Sequence, residues 1–255
     1  MADGFIKFLG TGGARFVLSK QLRATAGLWL NYKNTNVYID PGPGAIVKIR
    51  ASKKNLEPEQ LDGLILTHRH LDHSSDANVL IEAMTEGGFR KRGVLLCPKD
   101  AIIGEPVIFS SFSKKLERVE IMEEGKTYRI ADIVLTTPVR HIHPVETYGL
   151  LFDLGVKIGL VSDTKYFEDL PQYYSCDVLI VNVLRLKPIE KNEEIDHLSV
   201  EDFKRLIEKI RPKTAIMTHF GMSLIRQKPH TIAEEVKRAT GIEVIAAYDG
   251  MEFEF

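Results

Sequence analysis

The sequence predicts an α/β sandwich in which helices cover the outer faces of mixed sheets. Three observations predict it. Short strand-like segments recur along all 255 residues. Some of them alternate polar with apolar, as a half-wetted antiparallel strand does, while others such as DVLIVN (177–182) are apolar throughout, as a strand buried on both faces is. Stretches with helix-end signals lie between them, and mixed strands with interleaved helices are the pattern of layered α/β architecture.

In chain order the strand segments are FIKFL (5–9), AGLWLNY (26–32), NVYI (36–39), GLILT (63–67) and VLL (94–96). DIVLTT (132–137), YGLLFDL (148–154), KIGLVS (157–162), DVLIVN (177–182), TAIMT (214–218) and IEVIAAY (242–248) follow. A helix is predicted from about Ser74 to Glu86, stopped by Gly87 and Gly88. A second starts at Ser199, with Asp202 three residues on, and runs through about Ile210 before Pro212. A third carries a capping-box pattern at Thr231 and Glu234 and ends at Gly241, where a C′ glycine belongs. A fresh series of strands begins after about residue 125, so residues 1–255 read as one domain of two similar halves meeting there. The stretch from Gly104 to Arg118 fits neither period; with Phe109 and Phe112 it reads as a surface loop holding a buried phenylalanine, or as a substrate-side flap or dimer contact.

Composition narrows the function classes. Hydrophobic residues make up 44% and charged residues 27%, as in an ordinary globular chain. The 34 basic and 35 acidic side chains leave a net charge of −1, against a long nucleic-acid track, though a local patch stays open. No apolar run reaches the roughly 18 residues of a membrane helix. The start, MADGFIKFLG, lacks the pattern of a secretory leader. Cys97 and Cys176 both adjoin strand-like sequence and are expected as buried free thiols, which implies a cytoplasmic setting.

The densest polar stretch is THRHLDHSSD (67–76), which follows an apolar strand. It holds three of the chain's eight histidines. A solvated turn is the plain explanation. Four imidazole or carboxylate groups in six residues (His68, His70, Asp72 and His73) are instead what metal binding needs, and exceed what one tetrahedral ion takes from a single loop. Two ions are therefore expected, with further ligands elsewhere. His141, His143, Asp163 and His219 are the candidates, because each stands where an apolar strand stops.

His68-x-His70-x-Asp72-His73 resembles the HxHxDH signature of the metallo-β-lactamase superfamily. The later elements keep that family's order: a histidine, then SDT at 162–164, then a histidine ending a strand. FLGTGGAR (8–15) and the DP and GPG of residues 40–44 are similar to its N-terminal half, so the resemblance spans essentially the whole chain. It implies an αβ/βα four-layer sandwich with the metals at one edge. It also implies that His68, His70 and a later histidine take one ion, that Asp72, His73 and His219 take the other, and that Asp163 bridges them. The later histidine is His143 or His141; the spacing in HPVETYGLLF is similar to the nuclease-like branch and favours His143, with His141 then an outer support or a substrate contact. Zinc suits this His/Asp set, with manganese and iron as alternatives.

Within the superfamily the chain is closest to the tRNA 3′-processing endonucleases and related phosphodiesterases. The carrier of that similarity is His197, in DHLSVEDFKRL, 22 residues before His219; in that branch such a histidine faces the scissile phosphate. Its plainer role is a polar residue at a helix start. The segment TPVRHIHPVETYG departs from the glycine-rich motif of thioester and lactone hydrolases. The long tRNA-gripping arm is not expected, since residues 152–180 are short and strand-like. The expectation is a dinuclear hydrolase that cleaves a small or cyclic phosphodiester, or a short nucleic acid, with a hydroxide held between ions roughly 3.5–4 Å apart. Asp72 and His197 are its catalytic candidates. Hydrolysis of carboxylic esters, lactones or thioesters at the same metals is the alternative, and a non-catalytic metal-binding protein is the rival from another class. Thr67, Ser74 and Asp76 are candidate supports, and Arg15 and Arg23 candidates to face the site. Gly10 to Gly13 lacks the ending of a phosphate-binding loop and a helix after it, which favours a tight turn near the metals. A homodimer is compatible with the sequence.

Overall fold

The structure, a computed structural model, describes residues 3–188 and 196–255. The first half supplies β1 (Gly4–Phe8), β2 (Leu28–Tyr32), β3 (Thr35–Ile39), β4 (Gly63–Ile65), β5 (Val94–Cys97) and β6 (Arg118–Ile121). Five helices interrupt them: α1 (Ala14–Lys20), α2 (Ala45–Arg50), α3 (Leu71–Ser74), α4 (Ala77–Met84) and α5 (Ser110–Ser113). Then come β7 (Thr127–Ile130), β8 (Ile133–Thr136), β9 (Leu150–Asp153), β10 (Lys157–Val161), β11 (Val178–Arg185) and β12 (Leu198–Ser199). After them lie α6 (Val200–Ile210), β13 (Thr214–Thr218), α7 (Met222–Arg226), α8 (Pro229–Thr240), β14 (Glu243–Ala246) and β15 (Glu252–Glu254).

Two mixed sheets result, in the orders β15-β1-β2-β3-β4-β5-β6 and β14-β13-β11-β10-β9-β8-β7, with the short β12 beside β11. Each is antiparallel on one side and parallel on the other. β3 through β6 and β10, β11, β13 and β14 run parallel. The reason is visible in the side chains. Leu28, Leu30, Val37 and Ile39 point into the layer between the sheets, while Trp29 and Tyr38 point to the outer layer beneath α4. In β11, Val178 and Ile180 face inward, and Leu179 and Val181 face the helices α6 and α8. A strand buried on both faces reads as a continuous apolar run. Helices on both outer faces thus give the four-layer αβ/βα sandwich.

Helix amphipathicity closes the outer layers. α6 buries Phe203, Leu206 and Ile207 against β11 and β13. Its start is fixed by a full capping box, Ser199 with Asp202, a device whose loss costs about 1 kcal/mol. α8 ends at Gly241 with φ 69°, a left-handed conformation that favours glycine. Its start differs from the expectation: it begins at Pro229, so Thr231 lies inside the first turn and caps nothing. Proline at the first helical position needs no N–H partner and sets the start earlier.

The helix predicted over 74–86 is instead split into α3 and α4, because Asp76 adopts a non-helical φ/ψ of −93°, 5° and its amide bonds Pro41 O at 2.9 Å. A helix does follow Gly10–Gly13, namely α1, against the sequence expectation. The 104–118 stretch forms α5 and docks on α4, where Asn78 Nδ2 donates to Val107 O (2.8 Å) and Phe109 N donates to Asn78 Oδ1 (3.0 Å). Phe112 packs on the outer core, and Phe109 is 56% exposed. The C-terminal strand β15 was not expected; it returns to the first sheet and pairs antiparallel with β1. Among the described residues no helix is long and apolar enough to cross a membrane.

Candidate metal centre

The candidate ligands converge at one edge of the sandwich. His68 and His70 leave the end of β4, and Asp72 and His73 sit in the first turn of α3. From the second half, His143 follows β8, Asp163 follows β10, His197 precedes β12 and His219 follows β13. Their donor atoms form linked clusters: His68, His70, His143 and Asp163; Asp72, His73 and His219; and Asp163, His197 and His219.

Asp163 is the hub. Its Oδ2 lies 3.6 Å from His68 Nε2, 3.4 Å from His73 Nε2, 4.0 Å from His143 Nε2 and 3.6 Å from His197 Nδ1. Its Oδ1 lies 3.5 Å from His219 Nε2 and accepts from Asn182 Nδ2 at 2.9 Å. Asp72 Oδ2 stands 3.7 Å from His73 Nε2 and 3.4 Å from His219 Nε2, and accepts from the Ala14 amide at 2.7 Å. His73 Nε2 and His219 Nε2 are 3.0 Å apart, and His70 Nδ1 and His143 Nε2 are 3.1 Å apart. Two nitrogens on one tetrahedral zinc, each at about 2.0–2.1 Å, sit roughly 3.3 Å from one another. The donor spacing is of that order.

The outer nitrogens are tied down. His73 Nδ1 pairs with Asp40 Oδ2 (3.0 Å), His68 Nδ1 with Thr67 Oγ1 (3.1 Å) and His143 Nδ1 with the Asp196 carbonyl (3.0 Å). With Nδ1 donating, each Nε2 is turned toward Asp163, the arrangement that orients histidine ligands. His68 Nε2 is buried and has no hydrogen-bond partner among the described residues. Burial, and then the neighbouring His73, pushes its pKa well below the ordinary imidazole value, so the lone pair stays free. Burial lowers His70 as well, and takes His143 down to about 4. For His73 burial is outweighed by Asp72, Asp163 and Asp40, which raise it well above the usual value. Burial would raise Asp72 and Asp163, but the surrounding histidines hold both below the usual carboxylate range. Converging carboxylates and imidazoles, with burial favouring the neutral ring at His68, His70 and His143, make a pocket suited to cations, and the donor set fits divalent metal ions.

Close backbone packing holds the loops of the site against one another and against the second half. A Cβ on Gly13 would fall 2.2 Å from the His219 ring, and one on Gly42 would fall 2.0 Å from the carbonyl oxygens of Asp72 and Thr25. Only glycine admits such approaches. Phe220 N donates to Thr11 O at 2.8 Å, tying the glycine loop to the chain just past His219.

Other candidates take different places. His141 is buried with Nε2 against the Tyr174 hydroxyl (2.8 Å) and joins none of the ligand clusters; burial lowers its pKa to about 3. Thr67 donates its hydroxyl to Asp40 Oδ2 (2.6 Å) and touches His68, whereas Ser74 braces the loop carbonyls of Arg69 and His70, and Asp76 accepts from the Ile46 amide. Arg23 is committed to Thr11 Oγ1 and Ala247 O and stacks over Phe220, so the expectation that it faces the site is corrected. Arg15 is exposed and lines a cleft of about 240 Å³ with His70, Asp72, Asp163 and His197. Sequence reasoning missed Asp40 and Asn182 as supports. Asp40 follows β3, the same signal that marked Asp163 and His219, whereas Asn182 closes the apolar run of 177–182 but lies inside β11.

The profile of the family described as Beta-lactamase superfamily domain matches residues 35–220. The chain belongs to the metallo-β-lactamase superfamily. With its His/Asp clusters, that membership makes it a metal-dependent hydrolase. An uncharacterized protein of Methanocaldococcus jannaschii is 33% identical over 98% of this chain and 94% of its own length. A ribonuclease Z of Methanopyrus kandleri is 40% identical over 69% of this chain and 59% of its own length. The metallo-β-lactamase fold protein YhfI from Bacillus subtilis superposes with a TM-score of 0.80 at 20% identity, covering 99% of both chains. A diphosphatase of the PhnP family gives 0.73 at 20% identity, over 99% of this chain and 97% of that one. At such identities the two structures speak for the metallo-β-lactamase fold.

Proposed function

We propose that this chain is a two-metal phosphodiesterase acting on a small or cyclic phosphodiester or a short nucleic acid. The observation that carries the reading is the company of His197: it shares the cleft with the ligand clusters and with the exposed Arg15, whose guanidinium has no partner among the described residues. An imidazole and a guanidinium at the mouth of a metal cluster suit an anionic, oxygen-rich substrate. The likeness to the Methanopyrus kandleri ribonuclease Z and the PhnP-family diphosphatase is consistent with chemistry at phosphorus.

In this reading His68, His70 and His143 hold one ion, Asp72, His73 and His219 the other, and Asp163 is shared. Zinc is the metal proposed, with manganese and iron as the comparisons. Divalent ions bound there would supply a water acidic enough to attack phosphorus at neutral pH and would offset phosphoryl charge. Asp72 serves as ligand and orienting group, its Oδ2 held by the Ala14 amide. His197 hydrogen-bonds a phosphoryl oxygen or passes a proton to the leaving alkoxide, a role worth about 10²–10⁴ in rate. Arg15 binds a non-bridging oxygen from the rim.

Parallel assays of the metal-loaded protein with bis-p-nitrophenyl phosphate, a lactone and a glutathione thioester test the assignment. Phosphodiester turnover is expected to dominate. Dominant thioester or lactone turnover, with phosphodiester hydrolysis at background, would transfer the same site to carbon substrates. Turnover of none of them by protein carrying its full metal complement would point to the non-catalytic alternative.

A further inference from the structure

Helix α1 separates two cavities. Ala14, Arg15 and Leu18 line the metal cleft, whereas Ala14, Phe16 and Val17 line a second cavity of about 230 Å³ whose far wall is Leu184, Arg185, Met222 and Ser223 from β11 and α7. The two share Ala14, whose side chain is a single methyl group. Each alone is small, but together they enter the range of about 300–1,000 Å³ typical of small-molecule sites.

We propose that this second cavity is a subsite for a nucleobase carried on one ester arm of the phosphodiester, with Phe16 and Met222 as its specificity-determining residues. The inference rests on the phosphodiesterase reading of the adjoining metal cleft. Phe16 is 65% exposed, and its ring makes no aromatic or cation contact among the described residues. A scattered exposed aromatic is ordinary, but this one stands on the ridge beside the reacting centre. Met222 is half-buried opposite it, and a thioether adapts its shape to a planar ring. Val17 and Leu184 complete the apolar part of the slot, and Arg185 lines the same cavity beside Leu184. The Ser223 hydroxyl is exposed and makes no side-chain hydrogen bond among the described residues, so it is available to the polar edge of a base. A planar group with apolar faces and a polar edge matches this lining better than an alkyl chain, which would leave Ser223 unused. A phosphate seated beside Arg15 would have one ester arm crossing Ala14 into the slot.

The test compares two substrates with one leaving group: thymidine 5′-(p-nitrophenyl phosphate) and methyl p-nitrophenyl phosphate. Metal-loaded wild-type protein should prefer the thymidine ester in kcat/KM by about 10-fold or more, the scale of base–aromatic stacking. Phe16→Ala and Met222→Ala should each shrink that preference, Phe16→Ala by most of it, and Phe16→Trp should retain it. Phe89→Ala, at a 95% exposed residue outside both cavities, serves as the control and should leave the preference intact. Binding of thymidine 5′-monophosphate to the full-length protein, measured by calorimetry, should weaken in parallel. Equal kcat/KM for the two esters, or a preference that survives in both alanine variants, overturns the subsite. If neither ester is hydrolysed, the phosphodiesterase reading fails, and the calorimetric arm decides the subsite alone: Phe16-dependent nucleotide binding supports it, and its absence overturns it.

Discussion

The two halves of the molecule contribute to the centre in opposite ways. The first half supplies His68, His70, Asp72 and His73 from a single loop whose shape is set locally, by the turn bond from His73 N to His70 O (2.9 Å) and the Ser74 hydroxyl on the same carbonyl. The second half supplies His143, Asp163 and His219 from beyond the ends of β8, β10 and β13 and His197 from just before β12, and their relative positions depend on how these strands pair around β11. A loop held by neighbours in sequence tolerates change elsewhere in the fold. A set held by sheet register meets at the one residue that all its histidines approach within 4.0 Å, which is Asp163.

The largest effect should therefore come from Asp163→Asn. Bound metal per chain, read by elemental analysis, should fall, and turnover should drop by more than the roughly 10–100-fold that losing an outer contact costs. Retained stoichiometry and rate would mean that the halves are not joined through this carboxylate. His197→Ala comes next: turnover should fall by about 10²–10⁴ with metal content unchanged. Loss of metal in that variant would move His197 from the substrate side to the ligand set.

Asp40→Asn probes the local half. Asp40 holds both Thr67 and His73, so metal affinity measured by chelator competition should weaken by about 10–100-fold. An unchanged affinity would mean that the loop's own turn bonds suffice. The smallest effect is a labelling rate. Burial pushes the Cys97 thiol in the first sheet up to about 12 and the Cys176 thiol beside the second up to about 11. At pH 8 the thiolate fraction of Cys176 is then about 10⁻³, so native labelling by a disulfide reagent should be slow for both. In mild denaturant Cys176, the less buried of the two, should react first, and the opposite order would make the first half the earlier to open.

Much of this was legible in the sequence because its signals are local. The capping box of Ser199 and Asp202, the apolar run of β11 and the spacing of His68, His70, Asp72 and His73 each need only a few neighbouring residues to state their meaning. α1 and the split between α3 and α4 were not legible. The Asp76 amide turns to Pro41 O and its carboxylate to the Ile46 amide, both distant in sequence. β15 carries little apolar signal of its own and is a strand because the edge of β1 offers it backbone partners, from Gly4, which exchanges bonds with Phe255, to Phe8, whose amide donates to Met251 O.

By itself, then, the sequence determined the layered architecture, the candidate ligands and their order, since periodicity and ligand spacing are properties of short segments. Only the tertiary structure decided which residues stand behind those ligands and what lies next to them. Asp40 reaches His73 across 33 residues and Asn182 reaches Asp163 across 19, and α1 sets the slot of Phe16 and Met222 beside the cleft. Contacts of that kind exist only once two sheets have closed on a common core, because no local pattern encodes which distant side chains will meet.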